Sequence, residues 1–169
     1  MKKNIYTLNL PFTFNPQHKG APYYISALEK WANHGEFCEI ALKYALNLPY
    51  AKDANTRFDN GSDIPELQAS VKSSRFTLTT AAIGNNFDEM LDNYFKRCHS
   101  NLWIYVVIVD EQVISYEMNA AEFRAFVKEF ASVNSRGCIR AKADSLKMLL
   151  WLDERVTARK TSGFLSTIR

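Results

Sequence analysis

The chain has 169 residues, 47% hydrophobic and 23% charged, ordinary usage for one globular domain of that length. That composition excludes a disordered tail protein, a collagen and a membrane bundle, since no stretch approaches the ~18 unbroken apolar residues of a membrane span. The net charge of +3 is uneven: residues 136–169 hold eight basic and three acidic groups, leaving −2 on the rest, a distribution that suits a polyanion-facing surface or, equally, a solvated helix face with a frayed end.

Residues 1–20 mix prolines with polar groups, lack a sustained period, and read as an irregular N-terminal arm. Their basic start is followed by Pro11, Asn15 and Gln17 instead of an apolar core, so no secretory signal is expected. Pro22 stands where a first helical turn tolerates it, with Ile25, Leu28 and Ala32 following at helical spacing. A second helix is clearer: Phe37, Ile40, Ala41, Tyr44 and Ala45 lie on one face, after Gly35 and before Pro49. Pro49 to Ser62 reads as loop, with a short strand at Thr56-Arg57-Phe58 and a turn at Asp59-Asn60-Gly61.

Alternation and β-branched content predict one long strand from Leu67 to Thr79. Asn86 to Cys98 reads as helix through Phe87, Met90, Leu91, Tyr94 and Phe95. Leu102 to Val109 is a continuous buried strand, paired with Val113 to Tyr116 across a turn. Asn119 with Glu122 forms a capping pair before a helix whose Phe123, Phe126, Val127 and Phe130 have core spacing. A last strand is expected over Gly137 to Ala141 and a last helix over Leu146 to Leu152. The order implies an α/β single domain over residues 1–156, with a central mixed β-sheet flanked by helices, and a basic, flexible tail over 157–169.

Cys38, Cys98 and Cys138 are odd in number and scattered, as are His18, His34 and His99. That usage suits a reducing, cytoplasmic setting and offers no zinc-site spacing. The distinctive stretch is Gly61-Ser62-Asp63-Ile64-Pro65-Glu66-Leu67-Gln68-Ala69-Ser70-Val71-Lys72-Ser73-Ser74. A carboxylate follows a glycine turn and the chain runs into a strand that carries a lysine. Period-two alternation places Gln68, Ser70, Lys72 and Ser74 on one face and Leu67, Ala69 and Val71 on the apolar other. By pattern alone, Lys72 is an exposed lysine on a half-solvated strand and Asp63 a turn residue.

The same segment resembles the PD-(D/E)xK nuclease superfamily, which includes many restriction endonucleases and several resolvases. In that family an aspartate at a strand end precedes a Glu-x-Lys on the adjoining strand; Asp63 and Lys72 match, while Ser70 stands where the acid would be. The likeness extends more loosely over residues 35–155, and Glu39, after Gly35, resembles the helical glutamate of many members, or pairs with Lys43 on its own helix.

The resemblance implies a restriction-endonuclease-like core and a magnesium-dependent DNA endonuclease, manganese substituting. A type II restriction enzyme acting as a homodimer on double-stranded DNA fits first, with no membrane partner. Alternatives are a structure-selective nuclease such as a Holliday-junction resolvase, a nuclease toxin, or a catalytically inactive nucleic-acid-binding module. Catalysis would fall to Asp63, Lys72, Glu39, Ser70 and Gln68. The cation would be held by Asp63, the Val71 carbonyl, and Glu39, Asp88 or Glu89, because magnesium favours carboxylate and carbonyl oxygens. Arg75, Lys96, Arg97, Arg140, Lys142 and Lys147 are the candidate phosphate contacts.

Overall fold

A computed structural model describes residues 1–7, 34–48, 62–73, 76–78, 84–109, 112–141 and 145–166. The expected helix around Pro22 to Ala32 and the short strand at Thr56 to Phe58 lie outside them. At the centre stands β4 (Leu102–Val109), antiparallel to β5 (Gln112–Met118) on one side and parallel to β2 (Ala69–Ser73) on the other. A first strand, β1 (Lys2–Thr7), pairs antiparallel with β5, giving the mixed order β1-β5-β4-β2. The irregular arm expected over residues 1–20 is corrected at its start, residues 8–20 lying outside the described ones: residues 2–7 have no strand period of their own, and the open edge of β5 supplies their hydrogen bonds.

Side chains alternate across β4 and assign its two faces. Ile104 and Val106 pack with Cys38, Ala41 and Leu42 of α1 (His34–Ala45). Trp103 and Tyr105 point the other way, among residues of α2 (Phe87–Arg97), α3 (Ala120–Phe130) and α4 (Ser145–Ser166). Aromatic contacts fill that second layer: Trp103 stacks on Phe123 at 5.4 Å, and Phe126 meets Tyr105 at 5.2 Å. Phe123 and Phe126 are fully buried, each worth ~1.5–3 kcal/mol, so they anchor α3 and are not stacking platforms for bases.

The helix boundaries follow their caps. Asn86 accepts the Glu89 N–H at 3.0 Å and opens α2. Asn119 and Glu122 close a reciprocal capping box that opens α3. Helix α1 stops at Ala45, and two residues on, Asn47, with a φ of 54°, reverses the chain. Two expected boundaries move. The helix predicted over Leu146 to Leu152 continues to Ser166, so the loose tail from Thr157 is helical through that point. The long strand from Leu67 starts later: Pro65–Leu67 form a 3-10 turn, and among the described residues of that stretch β2 and the two-residue β3 (Thr77–Leu78) are the strands. That β3 joins a separate antiparallel sheet with β7 (Ile139–Ala141) and β6 (Ala131–Val133), in the order β3-β7-β6. No helix among the described residues is long and apolar enough to cross a membrane.

Candidate functional site

Among the described strands β2 ends the sheet, and alternate residues of such a strand turn both backbone groups away from the neighbour. Ala69 meets this demand with Ile64, through two backbone bonds of 3.0 and 3.1 Å. At Val71, two side chains replace a strand. Asp63 Oδ2 accepts the Val71 N–H at 2.7 Å, and the Val71 carbonyl accepts from Lys72 Nζ at 2.9 Å.

A tight reversal makes this possible. Pro65 opens one 3-10 turn, and Gln68 then adopts φ 48°, left-handed, before β2 begins. A non-glycine residue there costs ~1–2 kcal/mol, and its contacts offset it: the Gln68 N–H donates to Pro65 at 3.0 Å and its carbonyl accepts from Asn101 at 2.9 Å. Ser62, just before Asp63, is hydrogen-bonded to Ser100 at 3.1 Å, both hydroxyls being buried. The segment holding Asp63 is thereby fastened to the stretch between α2 and β4.

Ser70 and Lys72, two apart on β2, share a face. The Ser70 hydroxyl donates to Asp63 Oδ2 at 3.0 Å and accepts from Lys72 Nζ at 2.6 Å; that ammonium lies 3.5 Å from the same carboxylate oxygen. The Asp63 and Lys72 side chains are 29% and 15% exposed, so the pair is reachable from solvent. Asp63 Oδ1 has no hydrogen bond among the described residues.

The face is not the half-solvated one that alternation suggests. Ser70 is buried, while Leu67, expected on the core face, is 42% exposed because it lies in the 3-10 turn. The cover comes from α2. Trp103, opposite Ser70 in the β2–β4 register, donates its indole N–H to Tyr94 Oη at 2.9 Å. Burial pushes the Tyr94 phenol well above its ordinary range, with Cys98 adding to the shift and Trp103 and Ser70 offsetting part of it. Tyr94 and Trp103 are thus site residues that sequence reasoning missed; both sit in apolar patterns, and only their polar tips betray the role.

The other candidates are distributed as follows. Gln68 is excluded from the cluster because the left-handed turn directs its amide to Asn101. Glu39 pairs with Lys43 at 3.3 Å on α1, the helix covering the opposite face of β2. Asp88 is bound to Lys128 of α3 at 2.7 Å, which holds its carboxyl below the usual range. Glu89 accepts the Asn85 N–H at 2.8 Å. Both acids complement the positive end of α2, which accounts for them without a cation, and neither joins Asp63. Among the described residues, no three His, Cys, Asp or Glu side chains gather to hold a metal. One free carboxylate oxygen fits only a magnesium ion that keeps water and substrate phosphate as its other ligands.

Of the basic candidates, Lys96 and Arg97 are exposed on the last turn of α2. Ser100 and Asn101, which bond to Ser62 and Gln68, follow directly, so the two cations stand at the same end of the sheet as Asp63. Arg140 is exposed on β7 and Lys147 on α4. Arg75 and Lys142 lie outside the described residues. No family model, no curated protein and no solved structure matches this chain.

Proposed function

We propose that this chain is a magnesium-dependent DNA endonuclease with a restriction-endonuclease-like core, most nearly a type II restriction enzyme. One observation carries the reading: Asp63 and Lys72, nine positions apart, share Ser70 and approach to 3.5 Å at a partly exposed strand edge. Phosphodiester hydrolysis brings an anionic phosphate and an anionic nucleophile together, so positive charge must be placed before reaction. Asp63 Oδ1 would hold the cation, with the Val71 carbonyl beside it once the Lys72 ammonium, kept on Ser70, gives up that oxygen. Bound magnesium would polarise the phosphate and acidify a water. Lys72 would orient that water and offset charge developing on the phosphate. Lys96 and Arg97 would contact the DNA backbone, and a homodimer would cut both strands.

A second reading has its own support. Asp63 Oδ2 is already engaged in closing the edge of β2, and no second carboxylate joins it among the described residues. Those features suit a catalytically inactive nucleic-acid-binding module. Plasmid DNA incubated with the protein and magnesium, then with manganese, separates the cases. Discrete fragments support a sequence-specific endonuclease, and a smear a general nuclease or toxin. Binding without cutting in both ions supports the inactive module and overturns the enzyme.

A further inference from the structure

Ser70 stands where a second acidic residue is expected, and its bonding pattern says what it does there. A hydroxyl has one proton and two lone pairs. Its proton goes to Asp63 Oδ2 at 3.0 Å, and one lone pair takes the Lys72 ammonium at 2.6 Å. Its side chain is buried, opposite Trp103 and against the Tyr94 phenol. The Trp103 indole N–H, which can only donate, goes to the Tyr94 oxygen at 2.9 Å, so both polar tips of this cover are engaged with each other.

We propose that Ser70 is a positioning residue: buried opposite Trp103, its hydroxyl bridges Lys72 to Asp63 and does not ligate a cation. The serine proton then points to the carboxylate, and the ammonium is seated by the same oxygen. The serine therefore replaces the missing acid by holding the lysine in place, not by binding metal. The functional consequence rests on the nuclease reading; the bridge itself does not.

The conservative variant Ser70→Ala tests it by two readouts. The first readout is the Lys72 ammonium signal in ¹⁵N-resolved NMR, assigned through Lys72→Arg. The native ammonium should show slow proton exchange, and Ser70→Ala should accelerate it about tenfold or more. Unchanged exchange in Ser70→Ala overturns the bridge, whether or not the protein cuts DNA. The second readout is cleavage. Displacement of a reacting group by ~1 Å can cost ~10²-fold, so Ser70→Ala should lower kcat toward that extent with KM unchanged. Manganese affinity, titrated calorimetrically with DNA present, should stay within about threefold. A tenfold or greater loss of manganese affinity in Ser70→Ala would make Ser70 a ligand and refute the assignment. A native protein that neither cuts nor binds manganese refutes the nuclease reading alone, and the NMR comparison still decides the bridge.

Discussion

Replacing Asp63 separates its structural task from its chemical one. In Asp63→Ala, Val71 loses a charge-assisted acceptor at 2.7 Å and Lys72 loses a counter-ion at 3.5 Å. A hydrogen bond to a charged group contributes ~1.5–3 kcal/mol, and a partly exposed ion pair at most ~1 kcal/mol. With Asp63 29% exposed, water reaches the orphaned N–H, so the combined cost falls near ~2 kcal/mol. Against a stability of ~5–15 kcal/mol the protein stays folded, its Tm lowered by about 4–8 °C. Asp63→Asn keeps an amide oxygen for the Val71 N–H and removes only the charge, so its Tm should fall by less than about 4 °C. Both variants should lose magnesium-dependent plasmid cleavage completely, measured beside thermal melts on the same preparations. The decisive variant is Asp63→Asn. If it cleaves at near the native rate, Asp63 only closes the edge of β2, and the site assignment fails.

Other expectations follow from single features. If Lys96 and Arg97 touch phosphates, the double change to alanine should reduce the slope of log affinity against log salt by up to ~1.8; an unchanged slope removes them from the interface. A Cβ on Gly84 would lie 2.7 Å from the Met90 backbone nitrogen and 2.8 Å from its Cγ. Gly84→Ala should therefore cost ~1–3 kcal/mol in urea unfolding, and a neutral result would mean the turn into α2 yields freely. Burial pushes the Cys38 thiol up to about 11, the Ser73 hydrogen bond offsetting part of the effect. The unfolded thiol then ionises first, so stability present below pH ~9 is lost as pH rises toward ~11. Urea midpoints across that window should fall less steeply in Cys38→Ala, and parallel curves would refute the linkage.

Local chemistry is enough to set part of this fold. Helices close their hydrogen bonds within the segment, so the Asn119–Glu122 box and the apolar stripe from Phe87 to Tyr94 were legible without any partner. So was β4, whose eight residues are apolar enough to demand burial on both faces. Asp63 and Lys72 stood out as a pair only by resemblance, since nothing in a period-two pattern says that a turn carboxylate folds back onto the strand that follows. Tertiary structure decided the rest. The strand at Lys2–Thr7 exists because β5 offers it a ladder, and Leu67 leaves the core because Gln68 turns left-handed. Asp88 goes to Lys128, a partner forty positions away that only the packing of α2 on α3 brings near. Ser70 is buried and bridging because Trp103 and Tyr94 cover it. Contacts between distant segments cost chain entropy that only the assembled core can offset, and for that reason a site made of them is invisible to local pattern.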